Sequence, residues 1–166
     1  MQIARRAHAF GARVRALDDQ TAERPDYVFS LEKLPALNER LPEADVVVLA
    51  LPLTENTRGL IGAKQLSAMK MSALLINAAH TPQVDLAALA EAVKNKQLAG
   101  AGLDTTDSGP LPSDNPLRKL PTVVLTAHEG APSPEAQDRQ WRLYRENVRR
   151  FVAGEPLLCV VETTSR

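Results

Sequence analysis

The stretch Leu74-Leu75-Ile76-Asn77-Ala78-Ala79-His80-Thr81 constrains this chain most. An apolar run ends in an amide, the chain turns at small residues, and a histidine follows. A second run, Val46-Val47-Val48-Leu49-Ala50-Leu51, stops at Pro52. Unbroken aliphatic runs of this kind mark strands buried on both faces, the condition of a parallel sheet. In an open α/β sheet, ligands sit beyond the carboxyl ends of such strands. The residues that follow each run are therefore where chemistry is expected.

The remaining segments supply the partners that a parallel sheet needs. Gln2 to Phe10 has helical periodicity, with Ile3, Ala4, Ala7 and Phe10 on one face, and Gly11 ends it. Val14 to Leu17 reads as a short strand closed by Asp18-Asp19, and Tyr27-Val28-Phe29 as a weaker one. Leu31 to Leu41 is a short helical stretch interrupted by proline, and Gly62 to Met69 a short helix. Asp85 caps a helix from Leu86 to about Lys96 whose apolar face is Leu86, Leu89, Ala90 and Val93. Ala101-Gly102-Leu103 and Thr122 to Thr126 read as further strands. An amphipathic helix then runs from Pro134 to about Val152 and is closed by Gly154. Strands alternating with helices at this spacing predict a doubly wound, mostly parallel α/β sheet of about six strands. Residues 1–166 are read as a single domain.

Charge and cysteine content narrow the function classes. Lys plus Arg number 20 and Asp plus Glu number 20, so no net field recruits nucleic acid or an anionic membrane. The longest apolar run, Val46 to Leu53, is far below the ~20 residues that span a bilayer. The lone Cys159 has no thiol partner, which suits a reducing, cytoplasmic setting, and its apolar context reads as buried and inert. Arg5, Arg6, Arg13 and Arg15 without an acid imitate a transit peptide, but a first helix leading into a strand is the expected reading. Trp141 and Tyr144 lie three apart on the last helix and share a face, for core packing or an oligomer contact.

Taken together, ADVVVLALPLTENTRGLIG, LLIN, VDLAALAEAVKNKQLAGAGLD, VVLTAHEGAPSPEAQ and FVAGEPLLCVV resemble the nucleotide-binding domain of the D-2-hydroxyacid dehydrogenases. The likeness covers nearly the whole chain. It implies a truncated Rossmann-like fold and NAD as cofactor. Asp18 matches the acid that binds the adenosine ribose, and Pro52, Thr54, Thr57, Arg58 and Gly59 match a loop that lines the cofactor cleft. Asn77 and Asp104 fall on the cofactor side of the same cleft.

Several family features are missing from these residues. The opening strand and its Gly-x-Gly-x-x-Gly turn are not found in the sequence, and neither is the substrate domain. The absent strand is normally central, between those placed at Val14 and Val46, so these two either close up or leave a gap for a partner. The family's substrate-gripping arginine falls on His80, and Thr81-Pro82 stand where two glycines are usual. The glutamate that orients the catalytic histidine falls on Gly109. The acid/base histidine is kept as His128, with Glu129 in place of an apolar neighbour.

The expected function is that of a family member, degenerate or repurposed, that cannot perform hydride transfer alone. One alternative is a non-redox acid/base enzyme, with His128 and His80 exchanging protons and Asp104 or Glu129 orienting them. Two others are a binding or regulatory module for a small molecule and half of a split dehydrogenase. No metal is expected, since none of these groups has ligand spacing on one helix or strand. Asp107 and Asp114, in a Pro-rich loop, read as turn residues. A homodimer or hetero-complex is expected to cover the gap in the sheet.

Overall fold

The structure, a computed structural model, describes residues 2–21, 23–104, 111–126 and 133–160. The chain forms two compact units, residues 1–128 and 129–166, each described here by itself.

The first unit carries the sheet. Helix α1 (Gln2–Ala9) ends before Gly11, whose φ of 83° supplies the left-handed turn, and leads into β1 (Arg15–Leu17). Strand β2 (Ser30–Glu32) pairs parallel to β1 with Arg15 opposite Ser30. The strand expected at Tyr27 to Phe29 thus lies three residues later. The Phe29 N–H donates to the Val14 carbonyl at the entry to that ladder, while Val28 is fully buried. Pairing with β1, not aromatic content, sets where the strand begins. A 3₁₀ turn (Leu34–Ala36), helix α2 (Leu37–Arg40) and a second 3₁₀ turn (Leu41–Glu43) then replace the single proline-interrupted helix.

The second sheet is built from β3 (Val46–Leu49), β4 (Leu74–Asn77), β5 (Gly100–Leu103) and β6 (Val123–Leu125), all parallel and in sequence order. Helix α3 (Ala63–Ala68) and helix α4 (Leu86–Lys94) supply crossovers. Asp85 caps α4 by accepting from the N–H groups of Ala87 and Ala88, both at 3.0 Å. Leu49, Leu75 and Leu103 pack with Ile61, Leu66, Leu89 and Val93 into one core. Gly100 lets β5 approach its neighbour closely, because a Cβ there would lie 2.4 Å from the Thr122 carbonyl oxygen.

The six expected strands are all parallel, but they form two sheets, β1–β2 and β3–β4–β5–β6. Strands β1 and β3 do not close up. This overturns the reading of Val46 to Leu51 as buried on both faces: Val46 is 52% and Val48 37% exposed. Their sequence is that of an interior strand, yet among the described residues no strand pairs with the second side of β3.

The second unit contains helix α5 (Pro134–Ala153), capped by the Ser133 hydroxyl and ended by Gly154 at φ 68°. The following tail folds back on it. Asn147 accepts from the Leu158 N–H at 2.8 Å and donates to the Leu158 carbonyl at 3.0 Å, and Arg149 pairs with both Glu146 and Glu155. The neighbouring guanidinium groups of Arg149 and Arg150 lower the Glu146 carboxyl to about 2. Trp141 and Tyr144 meet edge to face at 5.9 Å, but at 61% and 49% exposure they are not core residues. Cys159 is exposed, not buried, since this clasp holds the tail as an irregular strap along a solvated helix.

The two aliphatic strands should respond differently to truncation. Leu75→Ala empties a fully enclosed site and should cost about 2–5 kcal/mol, whereas Val46→Ala, on an open edge, should cost below about 1 kcal/mol. Urea denaturation of both variants checks this; equal losses would show that β3 is buried.

Candidate functional site

The carboxyl ends of β3, β4 and β5 place three polar turns side by side. At the end of β4, Asn77 is 1% exposed and its side chain organises the turn that follows. Its Oδ1 accepts from the Ala79 N–H and its Nδ2 donates to the His80 carbonyl, both at 3.0 Å. His80 therefore leaves β4 at a fixed point, half-buried and extended (φ −124°, ψ 136°), as the cap of a 3₁₀ turn over Thr81–Gln83. Pro82 suits that turn, because its ring fixes φ near the helical value and it has no N–H to leave unpaired there.

Asp104 follows β5 and joins the same rim. Its N–H donates to the Asn77 carbonyl at 2.9 Å, and its carboxylate accepts from the Thr126 hydroxyl beyond β6. Asn77 thus links the main chain of Asp104 to the turn that presents His80. Thr126 is a member that sequence reasoning passed over. His128 and Glu129 lie outside the described residues, as do Asp107 and Gly109. Asp114 stands in a turn, as expected.

The loop after β3 is a compact polar knot. The Thr57 hydroxyl donates to the Pro52 carbonyl at 2.7 Å and accepts from the Thr54 N–H at 2.8 Å, which leaves Thr57 6% exposed. Arg58 is exposed, and Gly59 takes a φ of 62°. The Gly59 N–H then reaches the Pro82 carbonyl at 2.8 Å, and the Ile61 N–H the Gln83 carbonyl at 2.9 Å. This backbone zipper carries the Pro52–Thr57 loop to the turn that presents His80.

Gln83 locks the two turns together, and it too was missed. It is fully buried, and its Nε2 donates to the carbonyls of Leu51 and Pro52, both at 3.0 Å. Its Oε1 is buried without a partner. In sequence, Thr81-Pro82-Gln83 has the look of a surface turn. Its burial depends on carbonyls some thirty residues earlier, which no local pattern reveals.

Asp18 stands apart from this rim, after β1 on the smaller sheet. Its carboxylate accepts from the Gln20 N–H at 2.9 Å and from the Thr21 hydroxyl. Chiefly the Thr21 hydroxyl, and then the Gln20 N–H, hold its carboxyl below the usual range. The group expected to bind a ribose is engaged by its own turn. At the other end of β1, a pocket of about 550 Å³ is lined by His8, Arg13, Arg24, Asp26, Tyr27 and Phe29, none of them a candidate residue. Among the described residues no cluster of His, Cys, Asp and Glu could hold a metal ion, and no helix is long and apolar enough to cross a membrane.

With the rim in view, the comparisons with known proteins are direct. Residues 1–130 match the family described as D-isomer specific 2-hydroxyacid dehydrogenase, NAD binding domain. The chain belongs to that family. It is 40% identical over 153 residues to a glyoxylate reductase of Korarchaeum cryptofilum, covering 92% of this chain and 46% of that protein. Among solved structures it is similar to a D-isomer specific 2-hydroxyacid dehydrogenase family protein of Klebsiella pneumoniae 342. The TM-score is 0.86 at 30% identity, over 99% of this chain and 52% of the other. It also resembles an enzyme of Xanthobacter autotrophicus Py2 solved in complex with NADPH and MES. There the TM-score is 0.83 at 34% identity, over 96% and 50% of the two chains. The chain spans about half the length of these proteins.

Two outcomes follow from the geometry. Gln83→Glu replaces a donor to two carbonyls by an acceptor in a buried site, and should cost more than about 2 kcal/mol in urea denaturation; a neutral effect would show that the two turns are not locked through this amide. Asp18 has a lowered carboxyl, so it stabilises the fold above the ordinary carboxylate pKa and loses that contribution as pH falls through its own. The melting temperatures of wild type and Asp18→Asn should therefore differ at pH 7 and converge as pH falls through the lowered Asp18 pKa. A constant gap would refute the linkage.

Proposed function

We propose that these 166 residues are the nucleotide-binding part of a D-2-hydroxyacid dehydrogenase-type protein and do not carry out hydride transfer on their own. The observation that carries this reading is the turn after β4. It keeps the architecture of a substrate-facing rim, with Asn77 fixing the chain and Asp104 alongside, but presents the imidazole of His80 where the family resemblance implies a guanidinium. An imidazole cannot grip a carboxylate through two parallel N–H bonds.

The residues present fit a nicotinamide cofactor only in part. The Pro52–Thr57 loop, Asn77 and Asp104 offer a rim against which the nicotinamide side would lie, and a bound cofactor would supply the hydride. Asp18 already accepts one hydrogen bond at each carboxylate oxygen, from Gln20 and Thr21, and a ribose diol would have to share those oxygens. These residues contain no glycine turn to receive a pyrophosphate. In this reading the rim would face substrate and nicotinamide, with His128 as the acid/base group that the resemblance implies, but these residues would lack the phosphate end of the site. A homodimer or hetero-complex that covers the gap beside β3 completes this reading.

Purified protein mixed with NADH and glyoxylate, the substrate named by the Korarchaeum relative's activity, should oxidise NADH no faster than buffer. Steady turnover by the 166-residue chain alone would overturn the proposal.

A further inference from the structure

The end of β1 away from Asp18 is shaped by two turns. Gly11, at φ 83°, turns the chain out of α1, and Ala12 and Arg13 lead it toward the strand. On the approach to β2, the Val28 N–H donates to the Pro25 carbonyl at 2.9 Å, and Val28 itself is fully buried. The Phe29 N–H then reaches the Val14 carbonyl at 2.7 Å, which fixes this second turn against the entry to β1. Residues of both turns line the cavity of about 550 Å³, an ordinary size for a small-molecule site.

The cationic groups of this cavity are held in place without being neutralised. The guanidinium carbons of Arg13 and Arg15 lie 5.3 and 5.2 Å from the centre of the Phe29 ring. Arg15 is also paired with Glu43 at 2.8 Å. Arg13 has no acid within ion-pair distance among the described residues, so the Phe29 ring orders its charge but leaves it in place. Arg24 donates from Nη1 to the Val28 carbonyl at 2.5 Å, which folds it over the second turn, and it too pairs with no described acid. Asp26, the one acid of the lining, is exposed and pairs with neither arginine. A guanidinium carries five N–H donors in a planar fork, so both arginines keep donors that no described group takes up.

We propose that this cavity binds a small organic oxyanion, a molecule bearing carboxylate or phosphate groups, through Arg13 and Arg24. Each guanidinium can give two parallel N–H bonds to one such group. Phe29 presents the first arginine and the Val28 carbonyl the second, so little ordering is left for the ligand to impose. His8 and Tyr27 add polar atoms to the same wall. Asp26 opposes an anion at longer range, so affinity comes from the hydrogen bonds of the two arginines and not from net charge. The site shares no residue with the rim after β4 and needs neither cofactor nor turnover, so it and the function proposed above can fail separately.

Two-dimensional NMR of the full chain, titrated separately with citrate and with inorganic phosphate at constant ionic strength, tests it. At least one of the two should give saturable shifts at Arg13, Arg24 and Tyr27, with none at Asn77 or His80. Saturation by citrate alone identifies a carboxylate ligand, and saturation by phosphate alone a phosphate ester. Arg13→Gln and Arg24→Gln should each weaken binding by at least about tenfold. Asp26→Asn should strengthen it by roughly threefold, because it removes a like charge without touching a donor. Arg142→Gln, which removes the same charge from α5, should leave it unchanged. Shifts that never saturate with either anion, an equal loss in Arg142→Gln, or no gain in Asp26→Asn would each overturn the proposal.

Discussion

A parallel strand can satisfy its backbone only through neighbours that the chain brings back by crossovers, and that constraint governs this molecule. Strands β4 and β5 have a neighbour on each side, and the core sits on them: Leu75, Ala101 and Leu103 are at most 5% exposed. One position further out the condition fails. Strand β3 is paired on one side only, and β1–β2 stands as a separate ladder. The aliphatic content of β3 does not change this, because burial is conferred by what lies alongside.

The same ladder explains why the candidate site is ordered. Asn77 and Asp104 leave adjacent strands at register positions that the β4–β5 pairing fixes, so their turns meet through the Asp104 N–H and the Asn77 carbonyl. Gln83 and Thr57 then anchor the turn after β4 to the loop after β3. The rim is ordered because its polar groups are bonded to one another, and the Asn77 amide fixes where the turn to His80 leaves β4. The scaffold is that of the family to which the chain belongs.

Much of the fold was legible where composition and pairing agree. The apolar runs at Leu74, Ala101 and Val123 became β4, β5 and β6, and the Asp85 cap and Gly154 stop were found as expected. Where burial depends on a distant neighbour, the sequence misleads. Val46 and Val48 resemble interior residues but lie on an open edge, Trp141 and Cys159 look like core residues but are exposed, and Gln83 looks exposed but is buried. For the site, Asn77, His80 and Asp104 were legible because each ends a run. Gln83 and Thr126 were not, since their roles come from hydrogen bonds across 22 to 32 residues of chain.

The chain has the scaffold of a nucleotide-binding domain, and the proposal is that these residues lack a complete nucleotide site. Calorimetric titration of the purified protein with NADH addresses it most directly. No saturable heat is expected up to millimolar cofactor, because no glycine turn in these residues receives the pyrophosphate. Micromolar binding of NADH by these 166 residues alone would contradict it.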